Sequence, residues 1–262
     1  MPFAEVNGQR LRYEDSGGDG PPVIFSHGFL MDREMFAPQF TDLADTYRII
    51  TWDERGFGET EFDGEPFTYW DSARDLFGLL DHLGTERAVL GGMSQGGYLS
   101  LRAALLHPDR VRALILIDTQ APPESPEKVA EYRMMVDTWV QNGYVEDLAS
   151  VVAGLIIADP ELEPEWKAKW QQWDPQRLAP AGSALLDRDD ISDRLSELSM
   201  PVMLVHGTED TAIPVDRAHE ICAAVEDCRG VLEVEGAAHA SNLTHPSVVN
   251  PEIRRFLESL PA

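Results

Sequence analysis

The sequence predicts an α/β protein with a mostly parallel central sheet flanked by helices. Three observations carry that reading. Short β-rich runs alternate with longer helical patterns, which is the signature of βαβ units. Several of those runs end directly in turns that hold Gly, Ser, His or Asp. One stretch, residues 119–190, breaks the alternation with several prolines and no convincing strand.

The elements follow in order. Residues 9–14 read as a first strand, before the turn-rich Ser16-Gly17-Gly18-Asp19-Gly20-Pro21-Pro22. Residues 23–26 form a buried strand ending at His27-Gly28, and 33–45 look helical. Residues 48–52 are the next strand, ending in Asp53-Glu54-Arg55-Gly56-Phe57-Gly58. Residues 70–83 form an amphipathic helix with Leu76, Leu79, Leu80 and Leu83 on one stripe. A strand at 88–91, a turn at Ser94 and a helix at 95–106 come next, then a strand at 112–117 that ends at Asp118. Within 119–190, helical patterns occupy 126–141, 145–157 and 164–173. Ser125-Pro126-Glu127 is a sound helix start and Asn142-Gly143 a sound stop. Alternation resumes with a strand at 202–205 leading to His206-Gly207-Thr208-Glu209-Asp210 and a helix at 215–225. A last strand at 231–234 ends at Gly236-Ala237-Ala238-His239, and a helix at 246–260 closes the chain.

Composition narrows the function classes. The 262 residues are 43% hydrophobic, enough for a sizeable core without a metal or disulfide staple. The formal net charge is −25, from 46 acidic and 21 basic side chains. Such a surface repels phosphate backbones and anionic membranes, so neither nucleic acid nor a membrane is an expected partner. Cys222 and Cys228 are expected to be reduced, as a lone pair in a chain without an export signal. The start, Met1-Pro2-Phe3-Ala4-Glu5, has neither a basic nor an apolar signal region, which points to the cytoplasm. No CxxC or His-rich tract suggests a metal, and none is expected. The oligomeric state is open.

Chemistry concentrates at strand ends, where open parallel sheets bind ligands. Ser94 sits in Gly92-Met93-Ser94-Gln95-Gly96 between a strand and a helix, on a turn that pushes its hydroxyl outward. A serine hydroxyl needs an imidazole to take its proton, and the imidazole needs a carboxylate to fix its tautomer. His239 is the expected base. His27, His206 and His245 compete, but the first two precede strand-end glycines and the third precedes a proline. Asp210 is the expected acid, with Glu209 as a neighbour and Asp118, after the 112–117 strand, as the next candidate. The oxyanion needs two backbone donors, expected from the amides of Gln95 and Phe29.

These residues resemble the α/β-hydrolase superfamily over nearly the whole chain. The resemblance rests on His27-Gly28-Phe29, Asp53-Glu54-Arg55-Gly56-Phe57-Gly58, Gly92-Met93-Ser94-Gln95-Gly96, His206-Gly207-Thr208-Glu209-Asp210 and Gly236-Ala237-Ala238-His239. It implies an α/β-hydrolase core at 1–118 and 191–262, with a helical cap at 119–190 inserted after the sixth strand. Departures from family patterns narrow the reaction. Position 94 is serine where epoxide hydrolases and haloalkane dehalogenases use aspartate. The segment Phe29-Leu30-Met31 replaces the glycine-rich stretches of proline iminopeptidases and meta-cleavage hydrolases. The resemblance then implies a small carboxylesterase or lactonase, or a perhydrolase-like enzyme, acting on a small-molecule ester or lactone without a cofactor. A hydrolase-fold binder with little turnover, or cofactor-free oxygen chemistry, are the rival readings.

The aromatic residues of the cap admit two roles. Trp166, Trp170 and Trp173 fall on one helical face, which either packs the cap onto the body or walls an apolar acyl pocket. Met134, Met135 and Trp139 pose the same choice.

Overall fold

Side chains of the central strands sort by parity. In β6 (Val111–Ile117), Ala113, Ile115 and Ile117 join one buried cluster while Leu114 and Leu116 join another on the opposite face. In β3 (Pro22–Ser26), Val23 and Phe25 go one way and Ile24 the other. A strand apolar at every position is covered on both faces, and helices supply the cover.

The computed structural model describes residues 2–261. The remaining strands are β1 (Phe3–Val6), β2 (Gln9–Asp15), β4 (Arg48–Trp52), β5 (Ala88–Met93), β7 (Val202–Gly207) and β8 (Cys228–Val234). They form one sheet in the order β1-β2-β4-β3-β5-β6-β7-β8, with the first two antiparallel to their neighbours and β4 through β8 parallel. The helices are α1 (Ala37–Leu43), α2 (Tyr69–His82), α3 (Gln95–Leu106), α4 (Pro126–Asn142), α5 (Glu146–Ile156), α6 (Glu163–Trp170), α7 (Leu178–Leu186), α8 (Asp216–Ala224), α9 (Ser241–Thr244) and α10 (Pro246–Glu258). Leu43 of α1 and Val249 and Ile253 of α10 pack on one sheet face. Leu76 of α2, Leu99 of α3 and Ile221 of α8 pack on the other.

The fold class agrees with the sequence reading, and the differences have local causes. Strand β1 was not expected. It is the outer half of a hairpin whose turn residues, Asn7 and Gly8, have φ of 48° and 80°, the geometry Asn-Gly favours. Counting β1, the strand before residue 119 is the sixth. Helix α7 was also not expected, because Pro180 and Gly182 weaken its pattern. Gly182 lets α7 close onto α4: a Cβ there would lie 2.7 Å from Val136 Cγ1. The predicted 33–45 helix is a 3-10 turn, Arg33–Phe36, followed by α1. Cys222 and Cys228, expected reduced, are joined in a disulfide with Cα atoms 5.2 Å apart. The chain doubles back between α8 and β8, which puts the two within bridging distance. No helix among the described residues is long and apolar enough to cross a membrane.

Candidate active site

Ser94 is held in a backbone conformation that non-glycine residues avoid, φ 52° and ψ −112°. Such a position costs about 1–3 kcal/mol and persists only where its surroundings fix it. Here Ser94 N–H donates to Ile117 O at 2.9 Å, and its carbonyl accepts from Thr119 Oγ1 at 2.8 Å and Tyr98 N at 3.1 Å. The two motif glycines allow the turn. A Cβ on Gly92 would lie 2.1 Å from Gly96 O, and one on Gly96 would lie 2.0 Å from Ser26 O. The N-terminus of α3 thus rests directly on the ends of β3 and β5, and Ser94 stands at the rim.

His239 follows β8 and Asp210 follows β7. His239 Nδ1 and Asp210 Oδ2 are 2.7 Å apart. The other carboxylate oxygen, Oδ1, accepts from the amides of Ala212 at 2.8 Å and Ile213 at 2.9 Å. Burial alone would raise the Asp210 pKa, but the His239 charge and hydrogen bonds from both histidines outweigh it and hold the carboxyl well below its usual range. An ionised Asp210 makes His239 Nδ1 the protonated nitrogen and leaves the Nε2 lone pair for chemistry. Burial lowers the His239 pKa, and Asp210 more than reverses this, so the net shift is upward.

Ser94 and His239 line the same largely apolar cavity, with Tyr132, Met135, Trp139 and Ile156 among its other walls. His239 is bonded through Nδ1 to Asp210, and no hydrogen bond joins it to Ser94 Oγ among the described residues.

The competing acid and bases are engaged elsewhere. Asp118 is fully buried, with Oδ1 accepting from Gly207 N at 2.8 Å and Oδ2 from Ser241 N and Oγ at 2.9 and 2.7 Å. It ties together the loops that carry Asp210 and His239. Burial pushes its pKa up to about 6. His206 Nε2 lies 2.8 Å from Ile213 O and 3.2 Å from Asp210 Oδ2, behind the carboxylate. Asp118, His206 and Asp210 bring donor atoms within 4.8 Å of one another, a spacing suited to a cation, but those atoms already take part in the hydrogen bonds just described. The His245 ring meets its neighbour Thr244, with Nδ1 2.9 Å from Thr244 Oγ1.

His27 shapes the loop that carries Phe29. Its Nδ1 donates to Gly28 O at 2.8 Å and its Nε2 accepts from Glu54 N at 3.0 Å. Full burial pushes its pKa down to about 4, so the ring is neutral, as that donor and acceptor pattern requires. Gly28 is tightly packed: a Cβ would lie 2.5 Å from Met93 Sδ. The amides of Phe29 and Gln95 donate to no protein acceptor among the described residues. Gln95 is the first residue of α3, where the helix dipole favours negative charge.

The tryptophans of 164–173 pack rather than line the cavity. Trp166 and Trp170 are buried in the core, and Trp173 meets Phe57 edge-on. Trp139 and Met135 do line the cavity, whereas Met134 is 70% exposed. The sequence reading missed a clamp on the Phe29 loop. Trp170 Nε1 donates to Leu30 O at 2.5 Å, and Lys169 Nζ binds Asp32 Oδ2 at 2.9 Å and Glu34 Oε2 at 2.7 Å.

A sequence model of the family described as alpha/beta hydrolase fold matches residues 21–246. The chain belongs to the α/β-hydrolase fold family. Among solved structures, this α/β-hydrolase resembles a thermophilic esterase from Thermogutta terrifontis, with a TM-score of 0.91, 30% identity and 98% of each chain covered. It also resembles the enol-lactonase from Burkholderia xenovorans LB400, with a TM-score of 0.90 and 26% identity over 98% of this chain and 100% of that one. A non-heme chloroperoxidase of Streptomyces lividans is 27% identical over 97% of this chain and 98% of its own. The family membership is specific, but the reactions of these relatives differ, so the substrate must be argued from the site.

Proposed function

We propose that this α/β-hydrolase cleaves carboxylic esters or lactones through a covalent acyl-enzyme on Ser94. The observation that carries the reading is the Asp210–His239 hydrogen bond of 2.7 Å, with His239 and Ser94 facing one cavity. Similarity to an esterase and an enol-lactonase supports the same class.

Ser94 Oγ attacks the ester carbonyl while His239 Nε2 accepts its proton. The oxyanion that forms is held by the amides of Phe29 and Gln95. His239 then protonates the departing alkoxide. A water that gives its proton to His239 attacks the acyl-enzyme and releases the acid. Asp210 remains ionised and steadies the imidazolium. No cofactor enters this sequence. Residues 119–190 act as a cap on the core of 1–118 and 191–262, closing the acyl side of the cavity with apolar side chains such as Val136, Trp139 and Ile156.

The test is labelling with a fluorophosphonate, followed by peptide mass mapping and a panel of esters and lactones. Labelling at Ser94 with multiple turnover on aryl esters is the expected result. Labelling at another residue overturns the assignment. Tight retention of ligand with no multiple turnover points instead to a small-molecule binder.

A further inference from the structure

We infer that the cavity selects uncharged esters and that Glu124 enforces the choice by turning away substrates that carry a carboxylate. The inference rests on the hydrolase reading above and narrows its substrate class.

Glu124 lines the same cavity as Ser94 and His239, and its side chain is 10% exposed. One oxygen, Oε1, accepts from Gln120 Nε2 at 2.5 Å and lies 3.4 Å from Arg188 Nη2. The other has no protein partner among the described residues. Arg188 is the nearby cation; it pairs with Glu124 only at the long distance of 3.4 Å and has other partners besides. It donates to Leu185 O at 2.7 Å and Pro122 O at 3.0 Å, and its guanidinium sits 4.2 Å from the Tyr98 ring centroid. Arg188 is not among the lining residues, and no other Arg or Lys lines the cavity among the described residues.

Apart from His239, the base of the proposed reaction, the rest of the wall among the described residues has no basic side chain to offset the carboxylate. Met135, Val136, Val152, Leu155 and Leu178 are apolar. Tyr132 stays neutral, since burial and the Glu124 charge push its phenol up to about 12. A carboxylate entering this space loses its water, finds no Arg or Lys in the lining and faces a carboxylate that Arg188 offsets only in part. A methyl ester or alkyl end meets none of these costs. The net charge of −25 acts in the same direction at longer range.

The experiment compares 4-nitrophenyl methyl adipate with its monoacid, 4-nitrophenyl hydrogen adipate, by nitrophenolate release at pH 7.5. A second pair, methyl 4-acetoxybutanoate and its free acid, places the charge on the alcohol side. In at least one pair, kcat/KM should favour the uncharged ester by roughly ten- to a hundredfold. Glu124→Gln keeps the side-chain shape and removes the charge, so it should narrow that ratio by roughly tenfold. Glu124→Ala, which needs no partner for a new amide, should narrow it as well. Equal rates within both pairs, or ratios unmoved in both variants, overturn the inference.

Binding of the same compounds to Ser94→Ala protein, measured by calorimetry, separates this inference from the chemistry it rests on. Selective binding of the uncharged members by a protein whose wild type cleaves none of them would fault the hydrolase reading and keep the charge selection. Cleavage of both members at equal rates would keep the chemistry and end the selection.

Discussion

Asp118 and Asp210 end neighbouring strands and are both buried, yet they serve different partners. Asp210 holds His239 Nδ1 at 2.7 Å, while Asp118 spends its oxygens on Gly207 and Ser241. Asp210→Asn should therefore lower turnover by roughly 10⁴-fold with the fold intact, because the imidazole loses its tautomer and its counter-charge. Asp118→Asn should act on stability instead. It sets an NH₂ group against donors and leaves a buried hydrogen bond unmade, at about 1–3 kcal/mol. Ester turnover and thermal melts on both variants check this. Loss of turnover confined to Asp118→Asn would move the acid role to that residue.

The pH profile follows from His239. Its pKa is set by burial, which lowers it, and by Asp210, whose charge and hydrogen bond more than reverse that. The base works only when neutral. kcat/KM should therefore rise with pH through a value above 6.5, the ordinary value for histidine, and be lost below it. In Asp210→Asn the two largest raising causes are gone, while burial and the weaker pull of Asp118 remain, so the inflection should move to lower pH. An inflection that stays in place in that variant would argue against His239 as the titrating base.

Much of the geometry of this candidate site was legible because its residues lie in short segments near strand ends. Gly92 and Gly96 mark the turn at Ser94 within five residues, and the reason is the close approach of α3 to Ser26 O. Asp210 and His239 each lie in the loop just after a strand, β7 ending at Gly207 and β8 at Val234. The features that escaped the sequence are made by contacts between distant residues. Trp170 reaches Leu30 across 140 positions, and Lys169 reaches Asp32 across 137. No local pattern announces either. The Trp166-Trp170-Trp173 face admitted a pocket role beside the packing role that its pattern favoured, and only the contacts of the folded chain decide for packing. The missed β1 is a different case, since Asn7-Gly8 is a readable hairpin signal between two short runs.

The disulfide between Cys222 and Cys228 closes a small loop on the outer edge of the sheet, six residues apart in sequence. Chain-entropy arguments give a loop of that size about 2 kcal/mol. Neither cysteine lines the cavity. Reduction should lower the melting temperature by a few degrees and leave kcat unchanged. Differential scanning calorimetry and ester assays with and without reductant measure both. A fall in kcat at temperatures well below the melt would mean that this edge is coupled to the site.

Gly96 and Gly154 should respond oppositely to alanine. A Cβ at Gly96 collides with Ser26 O at 2.0 Å, a backbone atom that cannot swing aside. Gly96→Ala should cost about 3 kcal/mol and displace Ser94. Gly154 lies inside α5 with nothing within 4 Å of its would-be Cβ, so Gly154→Ala should add up to about 1 kcal/mol through helix propensity. Denaturant melts of the two variants make the comparison. A neutral Gly96→Ala would mean that α3 does not rest on β3 as described.

Trp170 offers the last test, because it touches the proposed oxyanion donor only through the chain. Its indole N–H donates to Leu30 O at 2.5 Å, and Leu30 sits at φ 62°, a conformation it would not hold unaided. The Phe29 amide is in the same loop, one residue earlier. Trp170→Phe keeps most of the packing but leaves the Leu30 carbonyl without its donor, at about 1–3 kcal/mol. If the bond aims the Phe29 amide at the developing oxyanion, kcat should fall about tenfold with KM little changed, since such donors act mainly in the transition state. Phosphonylation of Ser94 by a fluorophosphonate, which also builds negative charge at that position, should slow in parallel. A variant that merely melts earlier, with kcat and phosphonylation rate preserved, would reduce Trp170 to a packing residue.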